Sequence, residues 1–280
     1  MLKKIFISIL FFIQILNGQD KVRVILDSLY SYNVGTYMHF NAILPKDYFK
    51  TEARYTVIYL LHGYSGNHFD WINRTSLMKY LDKYNYVVIT PEAHNSWYTN
   101  SISTKRNYED YVIKELIPFV EKKYRVIATR HGRVIAGLSM GGYGAIKFAL
   151  KYPNYFYYVG SFSGAFRWPS MIEKNKNLLS ESLKQAFGEK KSEHWGKNDV
   201  LVLVDSLDTN VKLPYLYISC GTFDPLEGLL DSNRKFVEKI QKKKILYEYH
   251  EIPGEHNWIF WDKEINIFLE KLSQYNPLNP

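Results

Sequence analysis

The run Arg133-Val134-Ile135-Ala136-Gly137-Leu138-Ser139-Met140-Gly141-Gly142-Tyr143-Gly144-Ala145 decides how this chain is read. Residues 133–136 have the short apolar character of a buried strand. Residues 142–151 place Ala145, Ile146, Ala149 and Leu150 together at helical spacing. Between the two lies Gly137-Leu138-Ser139-Met140-Gly141, a G-x-S-x-G motif. The motif alone is weak, but a strand before it and a helix after it form the setting of a nucleophile elbow. There the serine hydroxyl stands on a sharp turn, flanking glycines relieve the crowding, and the helix N-terminus favours developing negative charge.

Outward from this run, short apolar segments alternate with amphipathic ones. Strands are predicted at 22–26, 38–44, 55–61, 86–90, 133–136, 215–220 and 245–251. The nearly unbroken apolar run at 55–61 fits a strand covered on both faces. Helices are predicted at 107–124, 142–151, 232–242 and 263–272. This alternation predicts an α/β fold with a mainly parallel central sheet and helices on both faces. Residues 166–212 break the rhythm: they are polar, lysine-rich and long for a loop, and are predicted to form a small helical cap. Within them, 200–207 reads either as a strand ending at Asp205 or as a buried helix. The expected organisation is one domain over 20–280.

The bulk composition excludes several alternatives. Of 280 residues, 46% are apolar and 23% charged, which is not the profile of a disordered or polytopic membrane chain. With Cys220 as its one cysteine, the chain has no intramolecular disulfide and no cysteine-based zinc cluster. The formal charge of +8 permits anionic partners without selecting one. Lys190-Lys191 and Lys242-Lys243-Lys244 are short runs that read as solvated surface, so no nucleic-acid partner is expected.

Residues 1–19 read as a secretory signal peptide. Lys3 and Lys4 precede an apolar stretch at 5–16, followed by the polar Asn17-Gly18-Gln19. About twelve apolar residues are too few to span a bilayer as a helix, so no stable membrane anchor is expected. Removal of this segment takes two lysines with it and lowers the charge to +6. A secreted or periplasmic location in a bacterium follows as the expectation, disulfides being permitted there but not required.

A nucleophilic serine needs a base, and the base an orienting acid. In an elbow fold they follow in the order Ser, Asp or Glu, His. His39, His62, His68, His94 and His131 all precede Ser139. His194 lies in the cap segment and His250 in a strand pattern. His256, in Pro253-Gly254-Glu255-His256-Asn257 between the last strand and the last helix, is the expected base. Asp224, just past the strand at 215–220, is the best-placed acid, with Asp205, Glu227 and Asp231 as alternatives. The oxyanion hole is assigned to the backbone N–H of Met140, the residue after the nucleophile, and of Tyr64 in Leu60-Leu61-His62-Gly63-Tyr64-Ser65-Gly66. His62 is read as shaping that turn. No metal or cofactor is expected.

These motifs, together with Ser96-Trp97-Tyr98, Ser161-Phe162-Ser163-Gly164, Cys220-Gly221-Thr222-Phe223-Asp224 with Asn233-Arg234, and Trp258 with Trp261, give the chain a resemblance to a known family. It resembles the Putative esterase family of α/β-hydrolases, which includes S-formylglutathione hydrolases (esterase D-like), tributyrin esterases, feruloyl esterases and the mycolyltransferase antigens. The resemblance spans nearly all of the chain after the signal. It implies Ser139, Asp224 and His256 as catalytic residues and Tyr64 and Met140 as oxyanion donors. One departure is Pro225 immediately after the acid.

The substrate is less legible. Trp97, Tyr98 and Trp258 are expected at the sheet's C-terminal edge, where aromatic rings stack on a sugar or a feruloyl group. The favoured function is a secreted serine carboxylesterase acting on short-chain acyl or carbohydrate-linked feruloyl or acetyl esters. The alternatives are a thioesterase resembling S-formylglutathione hydrolase, and a non-catalytic carbohydrate-binding protein that keeps the fold. The expected partner is a small-molecule or polysaccharide-linked ester.

Overall fold

The computed structural model describes residues 22–174, 178–208 and 211–275. The expected signal at 1–19 lies outside the described residues. Eight strands form one sheet: β1 (Arg23–Ser31), β2 (Thr36–Leu44), β3 (Thr56–Leu61), β4 (Tyr86–Pro91), β5 (Arg133–Leu138), β6 (Tyr158–Phe162), β7 (Tyr215–Gly221) and β8 (Tyr247–Ile252). Their order is β1-β2-β4-β3-β5-β6-β7-β8. The pairs β1–β2 and β2–β4 are antiparallel, and every pair from β4–β3 to β7–β8 is parallel. The fold class is therefore α/β, as the alternation predicts.

Side-chain alternation along the strands separates two cores. In β3, Val57, Tyr59 and Leu61 point to one face and Ile58 and Leu60 to the other. The first face is covered by a helical run beginning at Tyr108 and by helices Met140–Lys151 and Leu229–Lys242. The second is covered by short helices Asp70–Arg74 and Leu77–Leu81 and by the long helix Trp258–Gln274. Burial on both faces is why this strand reads as an unbroken apolar run.

Besides the two short helices Asp70–Arg74 and Leu77–Leu81, the structure differs from the predicted elements at 107–124, at β6 and between β6 and β7. The helix predicted over 107–124 changes pitch, with a π segment at Tyr111–Leu116 followed by the helix Ile117–Lys123. Pro118 lies in the first turn of that following helix. It lacks an N–H and its ring crowds the carbonyl one turn back, which widens the preceding turn. Strand β6 carries a glycine and a serine at its centre, so its propensity signal is weak although all five residues are buried. The segment between β6 and β7 forms helices Trp168–Lys174, Leu178–Phe187, Glu193–Gly196 and Val200–Asp205. In the last of these, Val200 and Val204 are buried one turn apart and Asp199 accepts the Leu201 N–H as an N-cap, which settles the ambiguity at 200–207 in favour of a helix. Trp168 stacks on Phe187 at 3.6 Å between ring centres, and both rings meet Tyr143 of the helix that follows Ser139. Among the described residues no helix is long and apolar enough to cross a membrane.

Candidate active site

Ser139 sits where β5 turns into the helix Met140–Lys151, with φ 51° and ψ −114°. A non-glycine residue at positive φ is strained by about 1–3 kcal/mol and persists only when its surroundings fix it. Here the Ser139 N–H donates to Phe162 O at 2.9 Å, and its carbonyl accepts from the N–H groups of Tyr143 (2.9 Å) and Ala165 (3.1 Å).

The loops after β7 and β8 converge on this serine. They meet at Gly221, where a side chain would lie 2.2 Å from the carbonyl oxygen of Gly254, so the position has no room for one. Thr222 and Phe223 donate their N–H groups to Ile252 O and Gly254 O, each at 2.9 Å, and pin the two loops together. The result brings Asp224 against His256. His256 Nδ1–H donates to Asp224 Oδ2 at 2.6 Å, and the Ser139 hydroxyl donates to His256 Nε2 at 2.9 Å. The Asp224 side chain is withdrawn from solvent, and its second oxygen, Oδ1, accepts the Leu226 N–H at 3.0 Å. The His256 ring rests edge-on against Trp261 at 4.9 Å between centres. Asn257, the N-cap of the last helix, accepts the Phe260 N–H and holds the loop that carries His256.

The competing acids lie elsewhere. Asp205 pairs with Lys239 at 2.5 Å on the surface, and Asp231 with Arg234. Glu227 lines the cavity beside the site but belongs to neither hydrogen bond of His256. His250 is bonded to Glu248 within β8.

A cavity of about 910 Å³ opens over Ser139 and His256. Elements from both faces of the sheet line it: Trp97, Met171 and Leu179 on the side of the helices between β6 and β7, and Asn67, Arg74 and Trp258 on the other. Among the described residues the backbone N–H groups of Tyr64 and Met140 have no hydrogen-bond partner. Both residues flank Ser139, one on the cavity wall and one at the helix start.

A family model described as "Putative esterase" matches residues 31–272. The chain belongs to this family. It is 30% identical over 248 residues to an acetyl esterase of Caldicellulosiruptor saccharolyticus, covering 83% of this chain and 91% of that protein. Among solved structures it is similar to the fluorophosphonate-binding serine hydrolase F of Staphylococcus aureus, with a TM-score of 0.81 and 26% identity, covering 89% of this chain and 98% of that one. It is also similar to an S-formylglutathione hydrolase of Staphylococcus aureus, with a TM-score of 0.77, 26% identity and the same two coverages. This esterase is thus a serine hydrolase of the carboxylesterase type.

The aromatic residues expected at the substrate divide. Trp97 lines the esterase cavity, with its indole N–H bonded to Ser182 Oγ at 3.1 Å. Trp258 lines it from the opposite side, edge-on to Trp71 and Trp261, with the Arg74 guanidinium over its ring at 5.5 Å. Tyr98 corrects the expectation. It is fully buried, outside the cavity lining, and its hydroxyl donates to His62 O at 2.9 Å. Its ring packs instead on Gly144 of the helix that follows Ser139.

Two charged groups behind the site were not singled out in the sequence. Lys147 is completely buried. Its ammonium donates to Tyr98 O (2.5 Å) and Thr99 Oγ1 (2.8 Å) and pairs with Glu109 Oε2 (3.0 Å). Burial pushes Lys147 down to about 8, against the pull of Glu109. For Glu109 burial works the other way, but Lys147 and Lys151 outweigh it and hold the carboxyl at about 2. No separate signal marks Lys147 in the sequence, since it stands one turn before Lys151 on the same helix face and the two lysines look alike until the fold brings Glu109 to both. Glu92 is the second group. Burial opposes its ionisation, yet the neighbouring His62 ring, the hydrogen bond from His68 and the His94 N–H keep it well below the usual carboxylate range. Burial also pushes the Cys220 thiol up to about 12, so the free cysteine in β7 is unreactive.

Proposed function

We propose that this esterase uses Ser139 as nucleophile, His256 as general base and then acid, and Asp224 to orient His256. We further propose that it hydrolyses short-chain acyl esters or acetyl and feruloyl esters carried on carbohydrate, outside the cytoplasm. The observation that carries the reading is the continuous hydrogen-bond path from Asp224 Oδ2 through His256 to Ser139 Oγ.

The chemistry follows from that path. His256 Nε2 takes the hydroxyl proton as Ser139 Oγ attacks the ester carbonyl. Asp224, holding Nδ1–H, keeps the correct tautomer and stabilises the imidazolium. The N–H groups of Tyr64 and Met140 receive the oxyanion at the start of the helix Met140–Lys151, whose dipole adds to the field. His256 returns the proton to the departing alcohol, then activates the water that frees the acyl enzyme. Trp97 on one wall and Trp258 on the other suit a ring or sugar, and the relative named acetyl esterase supports a small acyl group. Residues 20–280 would then act as one hydrolase unit with 166–212 as its cap, after removal of 1–19.

A second reading, thioester hydrolysis, is favoured by the likeness to the S-formylglutathione hydrolase structure. One experiment tests both. Wild type and Ser139→Ala are assayed on p-nitrophenyl acetate, butyrate and octanoate, methyl ferulate, acetylated xylan and S-formylglutathione. The proposal expects no turnover by Ser139→Ala and a preference for acetyl or feruloyl esters in the wild type. Turnover by Ser139→Ala would remove the mechanism, and a dominant rate on S-formylglutathione would select the second reading. Fractionation of the source cell reads export.

A further inference from the structure

The Tyr64 N–H shares its peptide unit with the Gly63 carbonyl. That carbonyl accepts from His62 Nδ1 (2.8 Å) and from the Gly66 N–H (3.1 Å). In a trans peptide the carbonyl and the N–H point in opposite directions, so these two bonds aim the Tyr64 N–H. His62 has its tautomer set as well, because Nε2 accepts the Ala93 N–H at 3.0 Å. The backbone of His62 is held in turn by the Tyr98 hydroxyl on its carbonyl.

Tyr98 therefore backs the oxyanion strap, and it does so from an unfavourable conformation. Trp97 and Tyr98 are consecutive non-glycine residues at φ 55° and 51°. Such a pair needs an external restraint. Lys147 supplies it: its buried ammonium has three donors, and the structure gives it Tyr98 O, Thr99 Oγ1 and Glu109 Oε2. The Tyr98 ring also lies on Gly144, one turn earlier on the same helix, where a side chain would meet it at 2.8 Å. Lys147 itself does not line the cavity. An apolar residue would fill a purely structural position without the cost of burying a charge.

We propose that Lys147 is a positioning residue for catalysis. Its ammonium holds the Trp97–Tyr98 kink, and through the Tyr98 hydroxyl on His62 it fixes the peptide that presents the Tyr64 N–H to the oxyanion. The proposal rests on the reading of Ser139 and Tyr64 given above.

The test uses the full chain with Tyr98→Phe, Lys147→Met and the double variant, each checked for folding by circular dichroism and thermal midpoint. Steady-state kcat and KM are measured on p-nitrophenyl acetate, together with Ki for a trifluoromethyl ketone, whose tetrahedral adduct needs the oxyanion hole. Tyr98→Phe is expected to lower kcat about tenfold with KM within twofold, and to raise Ki by a similar factor. The double variant should lose no more than Lys147→Met, because the two residues act in series. Unchanged kcat and Ki in folded Tyr98→Phe, a loss confined to KM, or a double variant whose loss is the product of the single losses would each overturn the proposal. If Lys147→Met does not fold, Thr99→Val, which removes an acceptor of the Lys147 ammonium, takes its place, and unchanged kcat and Ki there overturn the proposal. Ser139→Ala is assayed in parallel: activity surviving there removes the underlying reading, whereas an inactive Ser139→Ala beside a fully active Tyr98→Phe removes the positioning role alone.

Discussion

A methyl group on Gly141 would lie 2.6 Å from the carbonyl oxygen of Leu61. The helix that starts behind Ser139 therefore packs its backbone directly on the end of β3, the strand that leads into the Tyr64 loop. Gly141→Ala must push these elements apart. The expected outcome is a loss of about 1–3 kcal/mol in chemical denaturation and a marked drop in labelling by a fluorophosphonate probe. Native-rate labelling would contradict the close packing.

Asp224→Asn keeps the shape of the acid but replaces an acceptor with a group that also donates. The imidazole then loses the partner that fixes its tautomer. A fall in kcat of roughly 10³–10⁴-fold is expected, with the thermal midpoint little changed. A loss of less than tenfold would point to another acid, and Glu227 would be the next residue to replace.

Trp97→Ala removes a side chain that is packed against Tyr64, Tyr143 and Phe187 and that also forms cavity wall. Stability should fall by about 3–5 kcal/mol, as for a buried tryptophan. In the folded fraction, kcat/KM for p-nitrophenyl octanoate should rise relative to acetate. An unchanged ratio would place the acyl chain on the Trp258 side instead.

Acid should unload the Glu109 site. Its folded-state value of about 2 lies below the ordinary 4.5, so its contribution is fully present above pH 4.5 and is lost as pH falls toward 2. The shift corresponds to about 3 kcal/mol at most. The Lys147 shift acts in a separate window above pH 8 and does not overlap. Urea midpoints of wild type and Glu109→Gln should therefore differ most near neutrality and converge below pH 4. A constant gap down to pH 2.5 would contradict the assignment.

Much of this was legible in the sequence because it is local. Gly137 to Gly141 carry the elbow in their own spacing, and the turn before His256 carries its proline and glycine. The doubly buried strand at 56–61 shows as an apolar run. What was not legible depends on distant partners. Strand β6 is held by burial between β5 and β7, although Gly160 and Ser161 give it little propensity. Tyr98 and Trp97 are adjacent aromatics with the same local signal, and only the backbone turn between them sends one inward and the other to the cavity. Lys147 reads as an ordinary helical lysine until Glu109, 38 positions earlier, is brought beside it.

His256 follows Ser139 by 117 positions, which has a consequence for the order of synthesis. The elbow can form while β7, β8 and the last helix are still unmade, since its restraints come from Phe162, Ala165 and Tyr143. Its hydroxyl at that stage has neither base nor acid beside it. Both arrive only when the loops after β7 and β8 close at Gly221 and Gly254. On the mechanism proposed above, a chain emerging from the ribosome, or one clipped before His256, would carry its serine without a base, and hydrolysis would begin only with the docking of the final strand and helix.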